Sequence, residues 1–181
     1  IIMFVSSRGE KMKINISDLR DKDVDSITFE GEINEGLLDI NGREIYFVEP
    51  IKYDGAIYKA GSDKIVHVNI KYTYKEICGR CLDPFIKSDT TVLSGQLTKH
   101  HDDMEEDETG DVIYYEEDEV NLTDDIVNTI VLSLPMKPLC SEECKGICPS
   151  CGENLNRKKC DCVVEDVDPR LAILKDLIND N

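Results

Sequence analysis

Residues 64–81 read Lys64-Ile-Val-His-Val-Asn-Ile-Lys-Tyr-Thr-Tyr-Lys-Glu-Ile-Cys78-Gly-Arg-Cys81, a strand pattern that leads directly into a pair of cysteines. Every second residue from Val66 to Tyr74 is apolar or aromatic, and the residues between them are polar. This period of two predicts a strand of an antiparallel sheet with one buried and one solvated face. Because Asp83-Pro84 ends the strand, Cys78 and Cys81 are predicted to lie at a hairpin-like tip.

Further strands and one helix are predicted on both sides of this stretch. The strands are expected at 27–33, 44–49 and 90–98. Asn41-Gly42 is a turn signal before the second of them. A helix is expected at 122–134, because apolar residues recur there at helical spacing, Thr123 can cap it and Pro135 ends it. The predicted fold class is α+β: a mainly antiparallel sheet over 13–98, open or barrel-like, with one or two helices and a C-terminal zinc-binding segment.

Composition divides the chain into three regions. Residues 1–11 are predicted to be an over-extended gene start or disordered. Residues 12–135 are predicted to form a sheet-rich domain that includes an acidic loop at 100–119, with eleven acidic residues and no Lys or Arg. Residues 136–181 are predicted to form a cysteine-rich, zinc-binding segment and a terminal helix that begins at Asp168-Pro169.

Eight cysteines fall in four close pairs: Cys78 and Cys81, Cys140 and Cys144, Cys148 and Cys151, Cys160 and Cys162. Thiolates at such spacings can converge on one ion, so each pair is half of a tetrahedral zinc site and two four-cysteine sites are expected. The apolar start of the chain is too short for a secretory signal, and a reducing, cytoplasmic location is therefore predicted. A disulfide framework and uncommitted thiols are the alternatives.

The four pairs can be combined in two ways. In the favoured arrangement, Cys148 and Cys151 share an ion with Cys160 and Cys162, and Gly152 takes the positive φ of a zinc knuckle. The other four cysteines then close a site across about sixty residues of chain, which stabilises more than a local clip does. In the competing arrangement, the two central pairs share one ion and the first pair joins the last. Spacing permits both.

The chain carries 38 acidic and 21 basic residues, a formal net charge of −17, which repels nucleic-acid phosphates and favours a basic protein partner. One local basic feature, Arg157, Lys158 and Lys159, is a weak nucleic-acid-binding candidate, and a solvated loop is the favoured explanation of it. No apolar run approaches the ~20 residues of a membrane span, so no membrane partner is expected.

The cysteine pattern resembles a known family. Cys78-Gly-Arg-Cys81-Leu-Asp-Pro-Phe85, Cys144-Lys-Gly-Ile-Cys148-Pro-Ser-Cys151 and Cys160-Asp-Cys162 are similar to motifs of the YceD-like family of large ribosomal RNA subunit accumulation proteins. The resemblance runs from about Met12 to Ile178. It implies a cytoplasmic, metal-binding protein involved in the accumulation of 23S ribosomal RNA and in large-subunit assembly, and it supplies no catalytic residues.

These observations favour a non-enzymatic zinc protein whose direct partner is a basic ribosomal protein or assembly factor, with ribosomal RNA as an indirect partner. All-cysteine donor sets leave no open position for a catalytic water. The sequence has no phosphate-binding glycine loop, no nucleophile elbow and no triad around His67, His100 or His101, and it indicates no small-molecule substrate. The competing functions are a direct nucleic-acid-binding zinc module and a thiol-based redox sensor.

Overall fold

The computed structural model of the chain describes residues 13–99 and 112–162. They form two compact units. The sheet unit contains described residues 13–76, 84–99 and 112–138, and the cysteine unit contains described residues 77–83 and 139–162. Three features predicted from sequence lie outside the described residues: segment 1–11, most of the acidic loop with His100 and His101, and the terminal helix.

The elements follow each other in an order dominated by strands. They are β1 (Ile14–Asn15), a 3₁₀ turn (Ser17–Arg20), β2 (Ser26–Ile33), β3 (Leu37–Ile40), β4 (Arg43–Phe47), β5 (Ile51–Ala60), β6 (Asp63–Ile77), β7 (Pro84–Lys99), β8 (Val112–Tyr115), β9 (Glu119–Val120) and α1 (Thr123–Ser133). No helix in these described segments is both long and apolar enough to cross a membrane.

The long strand β6 is the centre of a seven-stranded sheet. It pairs antiparallel with β5 and with β4, and β7 is also its neighbour; β2 and β3 lie outside β5 and β4. β8 runs parallel to β7, and β1 and β9 form a separate two-stranded ribbon. The mainly antiparallel sheet is confirmed. Across the described strands this sheet is open, so the barrel-like form of the prediction is wrong.

The alternation of β6 is confirmed. Val66, Val68, Ile70, Tyr72 and Tyr74 are all buried, and they belong to one core that also includes residues of α1 such as Ile126 and Ile130. The polar residues between them lie on the opposite face, as a period of two requires.

The helix predicted at 122–134 is α1, which packs against β7. Its predicted cap is wrong. Thr123 is the first helical residue, and its N–H donates to the side-chain oxygen of Asn121 at 3.1 Å. The turn signal Asn41-Gly42 is confirmed: φ is 55° and 85° at these residues, which connect β3 to β4. Such positive φ values match the right-handed twist of a hairpin.

Glu76 and the Tyr74 hydroxyl are buried polar groups of the sheet unit. Glu76 is 4% exposed, and the Arg43 guanidinium donates to both of its carboxylate oxygens, with Nη2 2.9 Å from Oε2. Hydrogen bonding to Glu76 raises the pKa of Arg43. The hydroxyl of Tyr74 has no hydrogen-bond partner among the described residues, and burial raises the pKa of Tyr74 to about 12. By contrast, the Tyr72 hydroxyl lies 2.8 Å from that of Ser133.

Candidate metal centres

The eight sulfurs separate into two groups within the cysteine unit. Group 1 consists of Cys78, Cys81, Cys140 and Cys144, and group 2 consists of Cys148, Cys151, Cys160 and Cys162. In each group all four sulfurs lie within 4.8 Å of one another. This is the favoured arrangement of the two considered from sequence, and the structure does not bring together the sets of the competing one.

The sulfur separations fit one tetrahedral ion per group. Zn–S bonds of about 2.3 Å place two ligands of a tetrahedron about 3.8 Å apart. In group 1 the Cys78 and Cys144 sulfurs are 3.8 Å apart, and those of Cys81 and Cys140 are 3.7 Å apart. A disulfide needs a separation of about 2.05 Å, and all eight cysteines are free. The disulfide alternative is therefore wrong for this structure.

A tight turn after β6 presents the first two sulfurs of group 1. The Cys78 N–H donates to the Asp83 carbonyl at 2.9 Å, and the Leu82 N–H donates to the Cys78 carbonyl at 3.0 Å. Leu82 takes a left-handed φ of 60° to close this turn. The turn confirms the hairpin-like tip predicted for Cys78 and Cys81, because β7 begins at Pro84.

Backbone N–H groups converge on the Cys78 sulfur. Those of Arg80 and Cys140 lie 3.5 and 3.4 Å from it. Burial opposes ionisation of this thiol, but N–H groups of Cys81, Cys140 and Arg80 outweigh burial and lower the pKa of Cys78 to about 6. The sulfur is thus prepared to act as a thiolate ligand.

Group 2 is built on a zinc-knuckle turn. The Cys148 N–H donates to the Glu153 carbonyl at 2.8 Å, and the Gly152 N–H donates to the Cys148 carbonyl at 2.9 Å. Gly152 has φ of 75°, as predicted. Backbone N–H groups of Cys151 and Ser150 lower the pKa of Cys148 to about 6. Backbone N–H groups thus favour a thiolate at Cys148 in group 2, as they do at Cys78 in group 1.

In each group a neighbouring sulfur strongly raises the pKa of one thiol. The hydrogen bond with Cys144 raises the pKa of Cys140 to about 12, and the hydrogen bond with Cys151 does the same for Cys162. Four thiols that share protons at such short range are a donor set that a soft cation satisfies by replacing the protons. The residues present therefore fit a metal ion coordinated by four sulfurs.

Within the described segments of the cysteine unit, the only buried side chains belong to four cysteines. Cys78, Cys81, Cys144 and Cys148 are buried, together with Gly146, which has no side chain. Cys140, Cys151 and Cys162 are exposed, and Cys160 is intermediate. Group 1 is therefore the better enclosed of the two groups.

The predicted basic feature is only partly available for binding. Arg157 pairs with Asp83, with Nη2 2.9 Å from Oδ2, whereas Lys158 and Lys159 are exposed. Arg80 is also engaged: its guanidinium donates to the carbonyls of Glu142 and Cys144 at 3.2 and 3.0 Å. The structure thus distinguishes two exposed lysines from two arginines that support the metal-binding turns.

Two asparagines beside the cysteine groups, Asn154 and Asn156, were not identified as functional from sequence. Asn156 donates to the Cys144 sulfur at 3.3 Å, and Asn154 donates to Asp83 at 2.7 Å. Asparagine in a loop between cysteine pairs predicts side-chain bonds to local backbone, and it gives no signal for the bonds to Cys144 or Asp83.

Comparison with known proteins gives one family. Residues 66–178 match the family model described as large ribosomal RNA subunit accumulation protein YceD. An uncharacterized protein of Mycobacterium tuberculosis (strain H37Rv) is 32% identical over 106 residues, 56% of this chain and 49% of that protein. An uncharacterized protein of Mycobacterium leprae is 26% identical over 122 residues, 63% of this chain and 54% of that protein.

A plant protein is similar over a shorter stretch. The large ribosomal RNA subunit accumulation protein YCED homolog 1, chloroplastic, of Arabidopsis thaliana is 38% identical over 50 residues, 28% of this chain and 16% of that protein. The chain thus spans about half the length of the mycobacterial relatives and less of the plant relative. No solved structure matches it.

Proposed function

Because this chain belongs to the YceD family of large ribosomal RNA subunit accumulation proteins, we propose that it is a non-catalytic zinc protein that supports 23S ribosomal RNA accumulation and large-subunit assembly. The observation that carries the proposal is the pair of four-cysteine groups, both complete, on the matched part of the chain. The proposed location is the cytoplasm.

Zinc is the proposed ion, and its proposed role is structural. Four thiolates at the separations of group 1 suit tetrahedral zinc and leave no position for a reacting water. Each of the two cysteine groups would hold one ion. The first test is the metal content of the full chain purified without chelators, for which two zinc ions per chain are expected. Iron in place of zinc, or no metal, would contradict this part of the proposal.

A basic ribosomal protein or assembly factor is the proposed direct partner. The described part of the sheet unit holds twenty acidic and twelve basic residues, whereas that of the cysteine unit holds five of each. The excess negative charge therefore lies in the sheet unit among the described residues, where it favours a cationic protein over RNA phosphates. A pulldown from extract is expected to keep this partner after ribonuclease treatment. Loss of the partner with the RNA would contradict direct protein contact.

The role in ribosomal RNA accumulation is tested in cells that lack the endogenous gene. A Cys144→Ser variant removes a buried ligand of group 1, and Ser141→Ala is the matched control, because only the Ser141 carbonyl bonds to this turn. The ratio of 23S to 16S ribosomal RNA is expected to fall with Cys144→Ser and to stay at the wild-type value with Ser141→Ala. An unchanged ratio in both variants, at equal protein levels, would contradict a role of the metal centre in ribosomal RNA accumulation.

A direct RNA contact by the cysteine unit is the second candidate, because Lys158 and Lys159 are exposed in the loop of group 2. It predicts RNA binding that weakens steeply with salt and that is lost when both lysines are changed to Ala. Binding that is insensitive to salt, or unchanged in the double variant, would eliminate this candidate.

A further inference from the structure

A side chain from the loop of group 2 contacts a sulfur of group 1. Asn156 lies between Cys151 and Cys160, yet its Nδ2 donates to the Cys144 sulfur at 3.3 Å. Its Oδ1 accepts the Lys145 N–H at 2.8 Å, next to the same cysteine. The side-chain amide of Asn156 therefore forms hydrogen bonds both to the sulfur of Cys144 and to the backbone N–H of the next residue.

The amide of Asn156 is itself held in place. Its backbone N–H and its Nδ2 both donate to Oδ1 of Asn154, at 2.9 and 3.0 Å. Asn154 in turn donates to Oδ2 of Asp83 at 2.7 Å, and Arg157 donates to the same oxygen at 2.9 Å. Asp83 is the second residue after Cys81, so the chain of bonds returns to group 1 from its other end.

The loop that carries these side chains is ordered by hydrogen bonds and by its two ends, and not by buried side chains. None of residues 152–159 is buried. Within the loop, the Leu155 N–H bonds to the Gly146 carbonyl at 2.9 Å, and the N–H groups of Arg157 and Lys158 bond to the Asn154 carbonyl. Cys151 and Cys160 lie at the two ends of the loop, so an ion shared by their sulfurs would restrict its conformation further.

We propose that Asn156 is a positioning residue for the group 1 metal site and that the loop 152–159 couples the two sites, so that metal bound at one strengthens binding at the other. An ion at group 2 fixes both ends of the loop and thereby places the Asn156 amide on the Cys144 sulfur. Coupling between two sites is reciprocal, so an ion at group 1 favours group 2 equally. The inference rests on the proposed function in one respect: both groups must bind a metal ion.

The first test uses Asn156→Asp in the full chain. Aspartate keeps an oxygen for the Lys145 N–H but has no N–H to donate to the Cys144 sulfur, and it adds one negative charge. Lys158→Ala is the matched control, since it changes the net charge by the same amount without removing a side chain that bonds to either group. Loss of an outer hydrogen bond typically weakens metal binding roughly 10–100-fold. That loss of zinc affinity is expected at group 1 in N156D and not in the control.

Cadmium-113 NMR of the substituted protein distinguishes the sites. Two resonances are expected, and Cys160→Ser with Cys162→Ser assigns the one that belongs to group 2. In N156D the group 1 resonance is expected to shift, a change at the sulfur that a general loss of stability does not produce. If both resonances vanish in N156D, Asn156→Ala removes the Nδ2 donor and the Oδ1 acceptor without adding charge. A group 1 resonance that shifts in this variant supports the inference, because the Asn156 amide bonds to a sulfur of group 1, whereas two resonances at their wild-type positions contradict it.

A double-mutant cycle measures the coupling. Disabling group 2 with Cys160→Ser and Cys162→Ser is expected to lower the zinc affinity of group 1, and to lower it less when Asn156 is already Asp. Equal losses in both backgrounds, or a group 1 affinity unchanged by N156D, would overturn the inference while two zinc ions per wild-type chain still stand. A wild-type chain that binds no metal would instead end the proposed function, and the inference with it.

Discussion

Removing the metal with a chelator is expected to unfold the cysteine unit. In its described segments the only buried side chains are Cys78, Cys81, Cys144 and Cys148, and no residue of the unit belongs to the hydrophobic core. Small units that bury little apolar surface usually need a metal or disulfides to offset chain entropy. Structural zinc supplies roughly 10–16 kcal/mol per site in small zinc domains. Without it, nothing of similar size remains to hold the turns.

Hydrogen exchange followed by mass spectrometry measures this loss directly. The probes are the amides that close the metal-binding turns, those of Cys78, Cys148, Gly152 and Leu155. If only a third of the zinc contribution protects these amides, chelation lowers their protection by about three orders of magnitude, since ~1.4 kcal/mol is a tenfold change.

The paired strands β5 and β6 are the internal control for this experiment. Their core consists of apolar and aromatic side chains and includes no cysteine. Their amides are therefore expected to keep their protection when the metal is removed. Full protection of the Gly152 and Leu155 amides in metal-free protein would refute the reasoning, because it would show that the turns are stable without an ion.

Two further predictions concern the sheet unit. Arg43→Ala is expected to lower the free energy of unfolding by about 3 kcal/mol in denaturant, because it leaves the Glu76 carboxylate buried and unpaired. The double variant Arg43→Met with Glu76→Met is expected to stay within ~1 kcal/mol of wild type. A single variant as stable as the double one would contradict this. Tyr72→Phe is expected to cost about 1 kcal/mol by breaking the bond to Ser133, and Tyr74→Phe to be neutral or stabilising, since its hydroxyl is buried without a described partner. Equal losses at the two tyrosines, measured by thermal unfolding, would show that the hydroxyl of Tyr74 does have a partner.

The strand β6 and the helix α1 were predictable because their apolar residues follow one period without interruption. β5 was missed because its pattern changes at Gly55: Ile51 and Tyr53 are buried in alternation, and then Ala56 and Ile57 are buried in succession. A Cβ at Gly55 would lie 2.5 Å from the His67 carbonyl oxygen, so glycine permits this close approach of β5 to β6. The glycine at this contact interrupts the alternation, and β5, which lies between β2 and β6 in the sheet, was therefore not predicted.

The metal centres were predictable as a set of ligands, since close cysteine pairs are a strong local signal. Their grouping was not, because spacing restricts the residues within a pair and says nothing about which pairs meet. The role of Asn156 was out of reach for a related reason. Its partner Cys144 lies twelve residues away on another turn, and only the folded loop brings the amide to that sulfur. Long-range geometry decided both points.

The cysteine unit is assembled from two stretches of chain, 77–83 and 139–162, with more than fifty residues between them. A gene fragment that encodes only the C-terminal stretch would carry group 2 intact but only half of group 1. A chain that stopped at Pro138 would keep Cys78 and Cys81 without the two ligands that complete their tetrahedron, leaving a reactive dithiol. Recombination or domain shuffling therefore cannot transfer both centres without the intervening residues 84–138, and a minimal expression fragment must retain the turn between β6 and β7.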